Sequence, residues 1–552
     1  MDLAPLIRQY EQMKHARSTL DQHCQEIAER IFPRMAEFGF DSNPPGVKRT
    51  NEVFDATPAL ALDRFGAAME SLLTPRSSKW HTCRANNEDL MRIHNVRLYF
   101  DEITDLLFKM RYSSTSNFAS QNYEQYLSLG AFGTGSVFVA PHPDREGIRY
   151  RNIPLSGLYI AEDENGLIDT VFRRWRATAR QLAMKWGTSG ISKDAQAALE
   201  KDPEKIIDAV HVVKPNKDRD PTSPFAKDKP FISVWFEPAQ RHELEVGGYD
   251  EQAYLVSRYN TSPAEIFGRS PAMTILPDIK MLNAMSKTTI RAAEKVVDPP
   301  IIIADDGVTL PVNQKAGGHT FARIEGRGSQ SPVIPMQTGG RIDIGNDLME
   351  QRRTTINDAF LITLFQILVD TPNMSATEAT FRAQEKGALL APTAGRQQSE
   401  YLGPLIHREI NILARQGLLP EMPPELAEAE GEYEITYVSP LARAQRAEEG
   451  VGILRTLESI QPLAAADPGV FDNFDTDEIT RTLADINGMP NRTLADPAVI
   501  EQTRQERAQQ AQAQQAIEGM QGVAGAAKDG ASALQSFDGA MAMPEEMGGD
   551  VG

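Results

Sequence analysis

The stretch EKVVDPPIIIADDGVTLP, from Glu294 to Pro311, interrupts a pattern that is otherwise typical of long helices. A polar, helix-like run ends at Pro299 and Pro300, because proline cannot continue a helix interior. Three isoleucines, Ile301 to Ile303, follow as a β-prone run, and Asp306–Gly307 is a typical hairpin turn. The stretch therefore predicts a short β insert rather than a catalytic loop.

Long helices are predicted on both sides of this insert. Ser270–Pro271 is a capped helix start, and the helical pattern continues to about residue 297, with a kink expected at Pro277. A second helix is predicted over residues 341–368, where apolar side chains recur on one face. A strand of three isoleucines in so small an insert can hardly bury itself. We therefore expect other apolar surface to cover it.

The rest of the chain predicts an α+β fold that is mainly α. Helices are expected over residues 4–34, 57–73 (with Thr57 as its cap), 95–111, 115–130, 178–186, 375–417, 440–459, 475–486 and 497–518. Between residues 130 and 259 the period becomes strand-like and predicts a mainly antiparallel sheet, and 432–438 is one more strand. The Gly/Ala/Met-rich tail from residue 519 is predicted to be disordered.

Composition limits the function classes. The 552 residues are 41% hydrophobic and 24% charged, as in soluble globular proteins, and no run of 18 apolar residues predicts a membrane span. The cysteines, Cys24 and Cys83, cannot build a disulfide framework and fit a reducing cytoplasm. The net charge of −19 argues against a repressor or a histone-like packaging protein, since DNA affinity comes mainly from phosphate neutralisation. It does not exclude a protein that lets DNA slide past.

Motifs for catalysis are missing from the sequence. There is no HExxH, CxxC or GxSxG motif, and GTSGISK (187–193) lacks the spacing of a phosphate loop. GAFGTGS (130–136) precedes a strand, so it lacks the helix N-terminus that phosphate binding needs. We therefore predict that the chain is not an enzyme and takes no metal and no other cofactor.

Four clusters keep an alternative interpretation. His142, with Asp144 and Glu146, suggests a metal site or a surface turn, and Asp305–Asp306–Gly307 suggests an acidic metal loop or a hairpin turn. Arg173-Arg174-Trp175-Arg176 suggests a nucleic-acid patch or an exposed strand end. Arg352–Arg353 suggests a solvated face, a salt bridge between subunits or a surface that faces DNA.

Several stretches together resemble the portal proteins, or head-to-tail connectors, of short-tailed bacteriophages. They are ALDRFGAAMESLLTP (61–75), LGAFGTGSVFV (129–139), YNTSPAEIFGRSPAMTILPDIKMLNAM (259–285), AAEKVVDPPIIIADDG (292–307), residues 375–420 from SATEATFR to QGLLP, and VSPLARAQRAEE (438–449). Each motif is modest alone, and their joint order is specific. The resemblance covers residues 5 to 500.

The resemblance implies a ring, usually of twelve copies, at one vertex of the capsid. Double-stranded DNA is pumped through its channel by the terminase large subunit and later leaves through the tail. Tail adaptor proteins, the major capsid protein and scaffolding proteins are the other expected partners. The expected location is the virion, after assembly in the host cytoplasm and without a membrane. The alternatives are a scaffold or internal core protein and, less favoured, a packaging motor NTPase or nuclease.

The resemblance also implies a division of the chain into an α/β wing, a two-helix stem, a small α/β clip and a helical crown. The expected regions are an N-terminal wing at 1–270, stem helices at 271–297 and 341–368, a clip at 298–340, a channel loop at 369–374, a C-terminal wing at 375–439, a crown at 440–518 and a tail at 519–552.

Three groups of residues are the candidate functional residues. The channel loop consists of Val369, Asp370, Thr371, Pro372, Asn373 and Met374. The cations that could face DNA in the stem are Lys280, Lys287, Arg291, Lys295, Arg352 and Arg353. The clip surface for assembly or partner docking comprises Ile301, Ile302, Ile303, Asp305 and Asp306.

Overall fold

The computed structural model of the chain describes residues 2–38, 46–50, 53–297, 301–303, 333–335, 342–362, 390–429, 432–438, 440–466, 468–486, 489, 493–496 and 499–514. Its helices are α1 (Ala4–Ala16), α2 (Ser18–Ile31), α3 (Thr57–Leu73), α4 (Glu88–Arg92), α5 (His94–Arg111), α6 (Phe118–Phe132), α7 (Ala179–Trp186), α8 (Lys193–Lys201), α9 (Pro271–Val297), α10 (Ile342–Ala359), α11 (Gly403–Arg415), α12 (Pro424–Glu428), α13 (Pro440–Ala466) and α14 (Thr476–Ile486). Residues 390–397 and 499–514 are also helical.

The strands form antiparallel sheets, as the sequence predicts. They are β1 (His81–Ala85), β2 (Thr134–Pro141), β3 (Ile148–Asn152), β4 (Leu158–Glu162), β5 (Ile168–Thr178), β6 (Ile206–Pro215), β7 (Phe231–Glu237), β8 (His242–Tyr249), β9 (Tyr254–Arg258), β10 (Ile301–Ile303), β11 (Val333–Pro335) and β12 (Tyr433–Tyr437). One sheet has the order β3-β2-β9, and a second is the meander β4-β5-β6-β7-β8. The fold is α+β and mainly helical.

The helix predicted over residues 4–34 is two helices that meet at Arg17. The Arg17 guanidinium is buried, donates to the carbonyl oxygens of Leu155 (2.8 Å) and Ser156 (2.9 Å), and lies 4.0 Å from the ring centroid of Tyr159. It also pairs with Asp21 at 2.9 Å. The break therefore follows from tertiary contacts, which no local pattern in the sequence reports.

Helix α3 has the predicted bounds but a different cap. Thr57 is its first residue, and the Asp55 carboxylate accepts from the Thr57 N–H at 2.9 Å. Glycine permits the close packing of α3 on α6, because a Cβ added at Gly130 would lie 2.7 Å from the ring of Phe65. The hydrophobic core of the region predicted as the wing, 1–270 and 375–439, is built around this helix pair.

The two ends of the wing are joined by a two-stranded sheet and a buried ion pair. Strand β1 pairs with β12, which follows it by about 350 residues. Arg111 on α5 forms a bidentate pair with Glu409 on α11, with Nε 3.1 Å from Oε1, and both side chains are fully buried. Tyr150 donates to Glu409 at 2.6 Å, and Arg111 donates to Nε2 of His81 at 2.9 Å.

The burial of His81 fixes its charge. Burial, with Arg111 beside it, holds the pKa of His81 well below its ordinary value, so the imidazole is neutral at pH 7. Its Nε2 atom therefore accepts a hydrogen bond from Arg111, and Glu409 is the group that neutralises the arginine charge. An ion pair in a dry core needs this full set of hydrogen bonds to offset the desolvation of both charges.

We expect Glu409→Ala to be strongly destabilising. The change leaves the Arg111 guanidinium buried without a counterion, and breaking such a pair lowers the free energy of unfolding by about 3–5 kcal/mol. Urea denaturation followed by circular dichroism measures the loss. Glu428→Ala, at an exposed position at the end of α12, is the control and should change stability by less than about 0.5 kcal/mol. Equal stability of the two variants would contradict the role given to the pair.

Candidate functional site: the paired stem helices

Helices α9 and α10 lie side by side and fall within the residue ranges predicted for the two stem helices. The Ser270 hydroxyl caps α9 by accepting from the Met273 N–H at 3.0 Å, and the helix continues through Pro277 to Val297. Helix α10 runs from Ile342 to Ala359, within the predicted range 341–368. Arg352 on α10 pairs with Asp278 on α9 at 2.8 Å, which fixes the two helices against each other.

A short segment before α3 contacts both stem helices. Asn283 on α9 accepts from the Phe54 N–H at 2.7 Å. The neighbouring Asp55 carboxylate accepts from Arg353 on α10, at 2.9 Å from Nη2 and 3.1 Å from Nε, and from the Ser286 hydroxyl on α9 at 3.3 Å. This segment, Phe54–Asp55, therefore ties the helix pair to the N-terminal wing.

The charge of Asp55 is stabilised by these contacts. Burial acts to raise the pKa of its carboxyl group, but hydrogen bonds from Thr57 and Arg353 outweigh it and hold the pKa below its ordinary value. Asp55 is 7% exposed, whereas Glu350, the second acidic partner of Arg353, is 71% exposed. The Asp55 pair is thus the stronger of the two.

Four of the six predicted DNA-facing cations contact other parts of this chain. Arg352 and Arg353 form the ion pairs given above, and Lys280 pairs with Glu26 on α2 at 2.5 Å. The ammonium of Lys287 lies 4.8 Å from the ring centroid of Phe54.

The other two cations differ from these four. Arg291 and Lys295, near the end of α9, are exposed and form no ion pair with any described residue.

Sequence reasoning did not identify the acidic partners Glu26, Asp55 and Asp278. Asp55 carries a local signal, since an aspartate two residues before a Thr-Pro helix start is a typical capping arrangement. Glu26 and Asp278 carry none, because each pairs with a residue on a different helix.

Within the predicted clip, 298–340, the structure describes two short strands. Ile301–Ile303 form the predicted strand, and its described partner is Val333–Pro335, with Ile302 opposite Ile334. Asp305, Asp306, the predicted Asp306–Gly307 turn and the channel loop at 369–374 lie outside the described residues.

The candidate metal ligands near residue 142 form a turn. The Nδ1 atom of His142 accepts from the Asp144 N–H at 3.2 Å, and none of the described residues form a group of three or more His, Cys, Asp or Glu placed to hold a metal ion. Within the same part of the chain, no helix combines the length and the apolarity that crossing a membrane requires.

We expect Asp55→Ala to loosen the stem from the wing. The substitution removes the cap of α3 and the buried partner of Arg353. Losing both should lower the free energy of unfolding by about 1–3 kcal/mol. The midpoint of urea denaturation measures the change. Glu350→Ala removes the exposed partner of the same arginine and should cost less than about 0.5 kcal/mol. A larger effect at Glu350 would refute this assignment.

The sequence of this chain is similar to a known protein family and to two proteins of bacteriophages. The profile of the family described as "Bacteriophage head to tail connecting protein" matches residues 4–494. The chain is 27% identical over 508 residues to the portal protein of Salmonella phage epsilon15, covering 91% of this chain and 90% of that protein. It is 27% identical over 495 residues to the probable portal protein of Bordetella phage BPP-1, covering 88% and 87%.

A solved structure titled "Neck of empty GTA particle computed with C6 symmetry" is 11% identical and covers 75% of this chain and 90% of that one. Its TM-score is 0.35. The family match, over residues 4–494, includes both helices α9 and α10 and the sheets on either side of them in the sequence. The chain therefore belongs to the bacteriophage head to tail connecting proteins, the portal proteins of the phage virion.

Proposed function

We propose that twelve copies of this chain form a ring at one vertex of the capsid, and that double-stranded DNA enters and leaves the capsid through its channel. The family match over residues 4–494 carries this proposal. The paired helices α9 and α10 support it, because a rigid helix pair held at one end by the wing can pack beside identical pairs around an axis.

The proposed division of the chain follows the sequence prediction. The wing comprises residues 1–270 and 375–439, the stem 271–297 and 341–368, and the clip 298–340. The channel loop is 369–374, the crown 440–518 and the tail 519–552. The long helix α13 and the ion pair between Asp477 and Arg504 (2.6 Å) support a helical crown.

Charge favours a channel that does not hold DNA. Twelve copies at −19 each would carry about −230 formal charges, and such a surface repels DNA within a Debye length of about 8 Å. Low adhesion favours transport, because each retained phosphate contact would slow the moving duplex. Of the six cations considered, Arg291 and Lys295 are the best candidates for transient DNA contacts, since the other four already contact this chain.

The clip is the proposed docking surface for the terminase large subunit and then for tail adaptor proteins. Two strands of three residues each bury little surface on their own, so strand pairing or side-chain packing with a neighbouring subunit would complete them. The wing would contact the major capsid protein and scaffolding proteins during assembly in the host cytoplasm. The role is structural, and we assign no catalytic step to the chain.

The ring is tested by negative-stain electron microscopy of the purified full-length protein. We expect closed rings with an open central channel wide enough for duplex DNA, and class averages with twelvefold symmetry. Mass photometry gives the subunit number independently. Particles that stay monomeric or dimeric under conditions that favour assembly would contradict the proposal.

The two exposed cations are tested by Arg291→Glu combined with Lys295→Glu. We expect normal rings and a severalfold lower rate of DNA packaging, because the change adds repulsion where the duplex passes, and the defect should shrink at higher salt. The control is Lys193→Glu with Lys201→Glu on α8, which changes the net charge equally at exposed positions of the wing. An equal packaging defect in both variants would reject a channel position for Arg291 and Lys295.

The clip is tested by replacing Ile301, Ile302 and Ile303 with aspartate. We expect the wing to keep its circular dichroism spectrum and thermal transition, since these two strands pair with each other in a sheet separate from the wing's sheets. Ring assembly or terminase docking should fail, because buried charges oppose the apolar contact between subunits. Normal rings together with normal packaging would show that the clip assignment is wrong.

A further inference from the structure

A crevice of about 700 Å³ lies between the two sheets of the wing. Four cationic side chains line it: Arg149 and Arg151 on β3, Arg173 on β5 and Lys185 on α7. Glu245 on β8 is the one acidic residue among the described lining residues. In a chain with a net charge of −19, this crevice is a local excess of positive charge.

The arginines of the crevice have no acidic partner among the described residues. Arg173 is 6% exposed and donates to the Tyr254 side chain, and neither it nor Arg151 forms an ion pair with any described residue. Arg151 is solvent-exposed at the rim of the crevice, and partial desolvation with the neighbouring Arg173 lowers the pKa of its guanidinium. Holding like charges together in a partly desolvated place costs free energy. An anion bound there would offset that cost.

The aromatic wall of the crevice is already occupied. The ammonium of Lys185 lies 3.7 Å from the ring centroid of Trp235 and 4.2 Å from that of Trp186. His211 stacks on Trp235 with 4.2 Å between centroids and 3° between planes, so the two faces of this indole are covered by different side chains. Glu245 is engaged as well, since it accepts from Trp186 at 2.8 Å and lies 4.0 Å from the ammonium of Lys185, which leaves Arg151 and Arg173 as cations without an acidic partner among the described residues.

These contacts favour a carboxylate over a nucleic acid. Single strands bind to basic, aromatic surfaces by stacking bases on free ring faces, and Trp235 has none. The phosphates of duplex DNA lie along a stiff rod and do not reach a guanidinium as buried as that of Arg173. A glutamate or aspartate side chain reaches such a group and pairs with it in a bidentate manner. Phe138 and Tyr249 supply apolar walls for the rest of a peptide.

We propose that this crevice binds an acidic segment of a partner protein, whose carboxylates pair with Arg151, Arg173 and Lys185. The site is independent of the channel proposed above, because it lies in the wing and uses none of the stem residues. The residues of the Arg173–Arg176 cluster belong to two different cavities. Arg173 and Trp175 line this crevice, whereas Arg174 and Arg176 line a different cavity on the opposite face of β5.

The test is a fluorescence titration of the full-length protein with a synthetic peptide of alternating glutamate and alanine. Three of the four tryptophans, Trp175, Trp186 and Trp235, lie in or next to the crevice and report binding. We expect saturable binding that a glutamine-for-glutamate peptide does not reproduce. Arg151→Gln should raise the Kd about tenfold or more, because it removes a charge-assisted hydrogen bond.

Arg176→Gln is the matched control. It removes the same charge from the same sheet region but on the opposite face of β5, so the Kd should stay within about twofold of the native value. Unchanged peptide binding in Arg151→Gln would overturn the proposal. Should that variant lose its native circular dichroism spectrum, Lys185→Met replaces it, since the methionine keeps an apolar stem against Trp235.

Separate titrations with a thymidine oligonucleotide, duplex DNA and inorganic phosphate identify the class of ligand. We expect each to bind at least about tenfold more weakly than the acidic peptide. An oligonucleotide or duplex that binds as tightly as the peptide, with the same loss in Arg151→Gln, would overturn the peptide assignment. Tight binding of phosphate alone would do the same.

The pH dependence gives a further readout. Burial lowers the pKa of Lys185 to about 8, with Arg173 and Arg151 acting in the same direction and Glu245 opposing them, while the neighbouring His211 is held neutral. Lys185 is therefore cationic at pH 7 and mainly neutral at pH 9. Peptide affinity should fall severalfold between these pH values, and Lys185→Met should abolish most of that fall.

Discussion

The buried pair of Arg111 and Glu409 is the interaction on which the wing depends. It brings together α5, α11 and, through His81 and Tyr150, strands β1 and β3. The same principle recurs nearby, because Arg258 on β9 pairs with Glu400 at 2.8 Å. Charged residues of the C-terminal segment thus reach back into the N-terminal wing and close it. Helices α9 and α10 therefore extend from a domain whose N-terminal and C-terminal segments are held together by these ion pairs.

Many cationic side chains of this chain form ion pairs within the subunit. The acidic residues that exceed them in number are therefore left for the surface. Lys280, Arg352 and Arg353 hold the stem together and to the wing, so their charges are matched within the subunit. The crevice beside Trp235 is an exception to this rule, and the acidic partner segment proposed above would supply the missing charge.

Local signals in the sequence predicted local structure well. Helix α9 begins and ends where its cap and its terminal prolines indicate, and α3 has the predicted bounds because its apolar face repeats regularly. The break at Arg17 and the partners of Asp55 and Glu409 could not be predicted in this way. Arg353 follows Asp55 by 298 residues and Glu409 follows Arg111 by 298, and such pairs leave no periodic trace.

The pairing of β1 with β12 has a consequence for synthesis of the protein. Strand β1 must wait for a partner about 350 residues further along the chain. At 5–20 residues per second the ribosome needs roughly 18–70 s to make that partner. During this interval the edge of β1 and the half-pocket around Arg111 have no native cover. A nascent subunit therefore cannot complete this sheet before residue 437 has emerged from the ribosome.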